Sequence, residues 1–294
     1  MALQKAFNPT RPSATLQARF ASLPPVRDPM LLTPLELTLL ALIVGAVCGS
    51  FLNVCIYRLP EGHSVVHPGS RCPSCGAAIR WYHNIPILGW VMLRGRCADC
   101  GDAISIQYPL VELAGALVAW TTLLHLGPSL ETVAFALLGL AFIALAMIDF
   151  RHYILPDVIT LPGILAGLIA AALLGPGQAL PDLESSAWGA AAGGGGLWLF
   201  AWLFQRVTGK AGMGLGDVKL LALIGAWLGW AALPFTLFAS ALLGSVVGLG
   251  WILLLGRDRH LPIPFGPYLI AAAWIYLYQG PQVYAWYWQT VLGL

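Results

Sequence analysis

Long runs of apolar residues dominate this chain and limit the folds that it can adopt. Of its 294 residues, 59% are hydrophobic and only 10% are charged, whereas soluble domains carry about 25% charged residues. The mean hydropathy is +0.78. The runs are long enough to cross a bilayer, which takes roughly 17–25 residues. Because backbone in lipid must satisfy its own hydrogen bonds, the sequence predicts an all-α polytopic membrane protein.

Eight apolar runs predict about eight transmembrane helices, and the break between the sixth and the seventh is marked by no charged residue. The predicted spans are Leu37–Tyr57, Leu110–Leu126, Thr132–Ile148, Val158–Leu174, Trp188–Phe204, Val218–Leu233, Phe235–Leu255 and Tyr268–Trp286. The expected organisation is a disordered N-terminal tail (1–32) without a cleavable signal peptide, a first transmembrane helix (33–57), an insert (58–107) and a seven-helix domain (108–294).

The distribution of Lys and Arg predicts the orientation, because positive charge collects in cytoplasmic loops. With the N-terminus outside, the inner loops carry Arg58, Arg71, Arg80, Arg94, Arg96, Arg151, Arg206, Lys210, Arg257 and Arg259, and the outer loops carry no Lys or Arg. The tail, with Lys5, Arg11, Arg19 and Arg27, is the exception. The net charge of +2 does not indicate a partner. The apolar spans predict contact with membrane lipid, and the absence of a basic stripe argues against nucleic acid.

The insert is the longest loop, and it contains four of the six cysteines. They form two C-x-x-C pairs, Cys72 with Cys75 and Cys97 with Cys100, separated by 21 residues. This spacing is similar to that of a zinc ribbon, and four thiolates would form a closed, structural zinc site. The sequence therefore predicts a small zinc-ribbon-like insert between the first two transmembrane helices.

Other arrangements of these residues remain open. Two disulfides are the alternative, although the predicted cytoplasmic side is reducing. His63, His67 and His83 also lie in the insert and could be ligands. Cys48 and Cys55, within the first span, are expected to be small packing residues.

Two aspartates border apolar runs, and ionisable residues at such places mark functional sites. Asp149 follows the third span and Asp217 precedes the sixth, so that the predicted topology places both at the cytoplasmic boundary. Asp149 could instead pair with Arg151. Asp217 could simply cap the helix that begins at Val218, and Asp157, the rival for the first position, is itself expected to be the N-cap of the next span.

The backbone around these residues favours a shared site. Gly212, Gly214 and Gly216 would let the supporting loop approach another helix or an extended substrate closely. Two carboxyl groups held about 3 Å apart cannot both ionise. The charged one can then take a proton from water while the neutral one donates to a scissile carbonyl oxygen. Asp149 and Asp217 are thus the parts of an aspartic peptidase.

At these motifs the chain resembles the type IV prepilin peptidases, membrane aspartic peptidases of the G-x-G-D type. The similar stretches are Gly49 to Pro60, the two C-x-x-C pairs, Asn84 to Trp90 with Arg94 to Cys97, Ile148 to Asp157, and Gly214-Leu-Gly-Asp217. The resemblance implies that Asp149 and Asp217 are catalytic and that Cys72, Cys75, Cys97 and Cys100 bind zinc. The run Gly193–Gly196 departs from the pattern and is interpreted as close helix packing.

The resemblance also implies the activity, the substrate and the cofactor. Members of the family lie in the bacterial inner membrane. They cleave the basic leader of type IV prepilins and pseudopilins at the cytoplasmic face, and then methylate the new N-terminal amine from S-adenosylmethionine. No Rossmann-type motif marks a place for that methyl donor. Glu112, early in the second span, is the candidate for binding the cofactor or the amine, because a buried carboxylate there needs a partner.

Three other functions remain as alternatives. The first is a peptidase without methyltransferase activity, and the second is a non-enzymatic zinc-bearing scaffold. The third is a transporter, but transporter sites usually lie near the bilayer midplane and in repeats, and no internal repeat is evident.

Overall fold

The computed structural model describes residues 32–209, 214–255, 264–287 and 289–290, and over these ranges the protein is helical. The predicted tail falls almost wholly outside the described residues, as do Lys210, Arg257 and Arg259. The helices are α1 (Pro34–Arg58), α2 (Leu88–Met92), α3 (Gln107–Leu126), α4 (Leu130–His152), α5 (Asp157–Leu174), α6 (Leu183–Ala191), α7 (Leu197–Thr208), α8 (Leu215–Leu228), α9 (Ala232–Leu255) and α10 (Gly266–Tyr287).

The chain divides into two compact units, Met1–Leu37 and Thr38–Leu294. In the described part of the first unit, a capping box begins α1. The N–H of Thr33 donates to a carboxylate oxygen of Glu36 at 2.6 Å, and the N–H of Glu36 donates to Oγ1 of Thr33 at 3.3 Å. These two bonds satisfy N–H groups that the first turn of a helix leaves without partners.

Within the described ranges, five helices are long and apolar enough to cross a membrane: α1, α3, α4, α5 and α9. The helices α6 and α7 are joined by a π-helical turn, Ala192–Gly196, and together they cover the predicted fifth span. The all-α membrane architecture is therefore confirmed, with five candidate spans where eight were predicted.

The ends of two helices differ from the predicted spans. The helix α4 continues four residues beyond Ile148, so that Asp149 lies inside its last turns. The helix α8 ends at Leu228, five residues early, because Gly229 adopts a positive φ of 78° and its N–H bonds back to the carbonyl of Gly225. Glycine has no Cβ and adopts a positive φ without strain, so it readily ends a helix.

The helix α8 is the core of the larger unit. Val218 and all residues from Leu220 to Leu228 are buried, and a helix that is apolar on every side belongs inside a protein. Trp227 donates from its indole nitrogen to the carbonyl of Gly163 on α5 at 2.9 Å and packs edge-on against Phe135 of α4. The 14 residues of α8 extend about 21 Å at 1.5 Å per residue, which is less than the roughly 30 Å of a bilayer core.

Close backbone contact between α6 and α8 depends on two glycines. A Cβ added at Gly225 would lie 2.1 Å from the carbonyl oxygen of Gly189, and one at Gly189 would lie 2.2 Å from that of Gly225. In the adjoining π-helical turn, a Cβ at Gly193 would lie 2.6 Å from the carbonyl oxygen of Leu221, whereas Gly195 and Gly196 face open space. The predicted close packing of the glycine run thus holds for its first part only.

The insert lies between α1 and α3. It contains a 3₁₀ turn (Trp81–Asn84), the short helix α2 and two isolated β-bridges, Arg71 with Ala78 and Arg96 with Ala103. Trp90 donates from its indole nitrogen to the carbonyl of Ile104 at 3.0 Å, which connects α2 to the end of the insert. Its apolar interior is small, as expected for a segment of this length.

The contact between α6 and α8 predicts the effect of adding one methyl group. Gly225→Ala should destabilise the protein by about 1–3 kcal/mol, because the new Cβ would overlap backbone that cannot rotate away. Gly250→Ala in α9 is the matched control, since no heavy atom lies within 4 Å of its added Cβ. Thermal unfolding in detergent measures both variants. Equal melting temperatures would contradict the close packing.

Candidate active site and metal centre

One cavity of about 270 Å³ brings the two predicted aspartates together. Asp149 reaches it from α4 and Asp217 from α8, and the segments 153–155 and 214–216 form much of its wall. The two carboxyl groups are near enough to interact electrostatically. Residues 68 positions apart in sequence thus share one small polar pocket.

Asp149 is fixed by a contact that sequence reasoning missed. Its side chain is buried, with the residue 5% exposed, and its Oδ2 accepts the N–H of Gly266 at 3.0 Å. A Cβ on Gly266 would lie 2.6 Å from Oδ2, so that the approach requires glycine. Gly266 begins α10, 117 positions along the chain, and only the Phe-Gly-Pro sequence before the last span could have drawn attention to it.

Asp217 lies in the first turn of α8, where it does not act as the N-cap. Gly214 holds the N-cap position in an extended conformation, and Oδ2 of Asp217 would lie 3.7 Å from a Cβ added to it. Gly216 packs against Leu155, whose Cβ would be 3.1 Å from a Cβ on Gly216. Gly212, predicted as part of this loop, lies outside the described residues.

Arg151 is engaged away from the pocket. Its guanidinium lies 5.1 Å from the centre of the Tyr57 ring, which in turn stacks on Tyr108 at 5.7 Å. No ion pair within the described ranges joins Arg151 to Asp149. The alternative in which Asp149 is a simple partner of Arg151 is therefore wrong.

Asp157 also lines the pocket, but in a different environment from Asp149. It is the first residue of α5, with Pro156 at the N-cap position, so the expectation that Asp157 caps this helix is off by one residue. Its Oδ1 accepts a hydrogen bond from Nζ of Lys219 at 2.6 Å, an ion pair between α5 and α8. The Asp157 side chain is 57% exposed.

The four cysteines of the insert converge as predicted. One ligand atom from each of Cys72, Cys75, Cys97 and Cys100 lies within 4.8 Å of the others, and all four thiols are free. Among the described residues this is the one such cluster, and His63, His67 and His83 are not part of it. Hydrogen bonds from the backbone of Cys75 and Ser74 lower the pKa of the Cys72 thiol to about 7, which favours the thiolate that a metal needs.

The two cysteine pairs have the same backbone geometry. The N–H of Cys72 donates to Ala77 and that of Cys97 to Asp102, and each pair is followed by a glycine with a φ above 70°, Gly76 or Gly101. The sequences Arg71-Cys-Pro-Ser-Cys-Gly-Ala-Ala-Ile79 and Arg96-Cys-Ala-Asp-Cys-Gly-Asp-Ala-Ile104 share six of nine residues. The two pairs thus form a short internal repeat, whereas no repeat was expected from the sequence. Ser74 donates to the Asp102 carboxylate and so connects the two halves.

Glu112 is not among the residues that line the pocket. It lies on α3 and connects this helix to the insert. It is 7% exposed, and its Oε2 accepts the N–H of Ile87 at 2.7 Å. Ser50 on α1 also lies beside the carboxylate. Ile87 has a φ of 63°, which is unusual for a β-branched residue and is held by this contact. Neighbouring Asn53 is 2% exposed and donates to the carbonyl of Tyr108 at 3.2 Å.

Comparison with known proteins agrees with these features. Residues 43–126 match the bacterial peptidase A24 N-terminal domain, and residues 134–249 match the type IV leader peptidase family. The chain is 41% identical over 279 residues to the prepilin leader peptidase/N-methyltransferase of Stutzerimonas stutzeri, covering 87% of this chain and 95% of that protein. No solved structure matches it.

Two further relatives carry the same name. The protein of Aeromonas hydrophila is 43% identical over 272 residues, with 84% of this chain and 92% of that protein covered. The protein of Pseudomonas aeruginosa is 39% identical over 282 residues, with 88% and 96% covered. Together with the candidate spans, these matches indicate an inner-membrane multi-pass protein. Near-complete coverage at about 40% identity, and a cysteine cluster and aspartate pocket within the matched domains, establish that the chain belongs to the type IV leader peptidase family.

Proposed function

We propose that this protein removes the leader peptide of type IV prepilins and related pseudopilins, and then methylates the new N-terminal residue from S-adenosylmethionine. The observation that carries the proposal is the cavity in which Asp149 and Asp217 meet. A membrane peptidase needs a polar site that water can reach, at the edge of apolar helices. Relatives of the same length named for both activities support the assignment.

Asp149 and Asp217 would act as a pair that shares one proton. Two carboxyl groups in one poorly solvated pocket cannot both ionise at low cost. The charged member takes a proton from water as the water oxygen attacks the scissile carbonyl, and the neutral member donates its proton to the carbonyl oxygen. On collapse of the tetrahedral species the C–N bond breaks. The departing amine takes up the proton that the first aspartate accepted from water, and a hydroxyl proton of the intermediate returns to the second aspartate, which restores the dyad. The N–H of Gly266 would hold Asp149 in place throughout.

The four cysteines would hold a structural zinc ion. Tetrahedral coordination with Zn–S bonds of about 2.3 Å places neighbouring sulfur atoms about 3.8 Å apart, since the edge of a tetrahedron is 1.63 times the centre-to-corner distance. Sγ of Cys72 and Sγ of Cys100 are 3.8 Å apart. With four thiolates bound, the ion would have no open position, and it would order the insert and take no part in hydrolysis.

The orientation follows from the charge distribution of the sequence. Arg58 and Arg151 end α1 and α4 on the side of the insert and the aspartates. The positive-inside rule would place this side in the cytoplasm, with the N-terminus outside. A prepilin could then place its apolar helix beside these helices in the lipid and present its leader to the pocket.

For the methyl-transfer step we propose Glu112 as the supporting carboxylate. It is buried beside α1 and bonded to the insert loop at Ile87. A buried carboxylate favours a cationic neighbour, and both the sulfonium of the methyl donor and the protonated amine are cations. The donor would supply the methyl group, and Glu112 would orient the cation.

The first prediction concerns the reaction itself. A purified type IV prepilin, incubated with the protein in detergent, should lose its leader and gain the mass of one methyl group only when S-adenosylmethionine is present. Mass spectrometry of the N-terminal peptide measures both steps. Cleavage without added mass would indicate a peptidase without methyltransferase activity. A substrate that stays intact, although the protein is folded and contains zinc, would favour the non-enzymatic scaffold.

The second prediction concerns the dyad. Asp149→Asn and Asp217→Asn should each lower the cleavage rate about a hundred- to ten-thousand-fold, because each removes a proton-transfer group. Rates of leader removal in the same assay measure the loss. Glu184→Gln removes an exposed carboxylate from the first turn of α6, outside the pocket, and is the matched control. Asparagine variants that cleave at the normal rate would contradict the mechanism.

The third prediction concerns the metal. The purified protein should contain one zinc ion per chain, and Cys72→Ser or Cys97→Ser should lose most of it. Cys48→Ser is the matched control, because Cys48 lies on α1 outside the cluster. Elemental analysis gives the zinc content, and limited proteolysis should cut the insert of the zinc-free variants faster. Undiminished zinc in both cysteine variants would contradict the site.

A further inference from the structure

The pocket contains two charged side chains that the proposed hydrolysis does not use. Asp157 and Lys219 form their ion pair on its wall, with Oδ1 and Nζ 2.6 Å apart. With Asp149 and Asp217, three carboxyl groups and one ammonium line the cavity, and because the dyad shares one proton, the net charge of the four groups is −1. Its electrostatic potential favours a cationic guest over an anionic one.

Asp157 exposes more of its side chain to such a guest than Asp149 does. The side chains of Asp157 and Lys219 are 57% and 32% exposed. Asp149 is 5% exposed and already bonded to the N–H of Gly266. A substrate side chain could therefore contact Asp157 without displacing the backbone that holds Asp149.

Replacing Lys219 by a substrate cation as the partner of Asp157 should cost little free energy. Partly exposed ion pairs contribute little to stability, because water and ions screen them. A second ammonium or guanidinium could replace Nζ of Lys219 with little net change, and the flexible lysine chain could turn to solvent. An incoming carboxylate would instead meet a pocket with net negative charge.

The size of the cavity locates the cationic residue in the substrate. A sphere of 270 Å³ is about 8 Å across, and an extended chain advances about 3.3–3.6 Å per residue. Lys219 lies two residues from Asp217 on α8. A side chain bound at Asp157 would thus belong to a residue two or three positions from the scissile bond.

We propose that Asp157 is a specificity-determining residue that binds a Lys or Arg side chain of the leader peptide and releases Lys219 as it does so. This inference rests on the proposed function, because it takes the pocket to be the peptidase site. In the free protein, Lys219 would neutralise the charge of Asp157, and it would compete with the substrate side chain for the Asp157 carboxylate. The two halves of one ion pair then have opposite effects on substrate binding.

The test measures binding in the Asp149→Asn background, where cleavage is suppressed. A fluorescently labelled prepilin with a Lys or Arg two or three residues before the cleavage site is compared with the same prepilin carrying Gln there. Asp157→Asn should weaken binding of the cationic prepilin about fivefold and change that of the Gln form less than twofold. Lys219→Gln should tighten binding of the cationic prepilin.

A purely structural ion pair gives a different pattern. If the ion pair only joins α5 to α8, Asp157→Asn and Lys219→Gln should both weaken prepilin binding, whatever the charge of the leader. That result would overturn the inference. Charge reversal provides a second test. Asp157→Lys should bind a prepilin with Glu at this position better than the Lys form, and an unchanged preference would also overturn it.

Failure of this inference can be told apart from failure of the proposed function. Wild-type protein that cleaves the prepilin, with binding insensitive to leader charge at Asp157, would contradict the role of Asp157 alone. Wild-type protein that cleaves neither prepilin would contradict the peptidase assignment and this inference with it. Melting temperature and zinc content of each variant exclude misfolding as the cause of weaker binding.

Discussion

The position of the site depends on the burial of α8, and that burial depends on direct backbone contact with α6. At Gly189 and Gly225 the two helices touch without side chains between them. The next turns carry the large side chains of Leu221, Leu223 and Trp227 into the core. A helix enclosed in this way can hold a polar residue only at its end, where backbone N–H groups and solvent are available. Asp217 occupies that end, beside the last turns of α4.

The two aspartates have different supports, and the difference is physical. Asp149 lies inside a helix whose own N–H groups are already bonded, so it needs a donor from elsewhere, and Gly266 of α10 supplies it. Asp217 is in a first helical turn, and the backbone of Gly214 lies beside its carboxyl group. An unpartnered buried carboxylate is costly. Each aspartate thus has backbone support of its own, and one proton shared between the two removes the cost of a second buried charge.

The sequence predicted the features that depend on local patterns. Apolar runs located the helices, the C-x-x-C spacing located the cysteine cluster, and the G-x-G-D motif pointed to Asp217. Contacts between distant segments had no such signal: Gly266 with Asp149, and Lys219 with Asp157, join positions 117 and 62 apart. The predicted end of the sixth span was wrong because a single residue decides it: Gly229, at a positive φ, ends α8 within an apolar run. Hydropathy carries no information about backbone conformation.

The insert and the membrane helices are energetically coupled through Glu112. Its carboxylate is enclosed by α1 and α3, and the N–H of Ile87 in the insert is one of its partners. If the insert unfolds, this buried acceptor loses a partner, at a cost of about 1–3 kcal/mol. The strained φ of Ile87 is in turn tolerated because the carboxylate holds its N–H. Metal binding at the cysteines would order the insert and so stabilise α1 and α3, although no ligand atom of the cluster belongs to either helix.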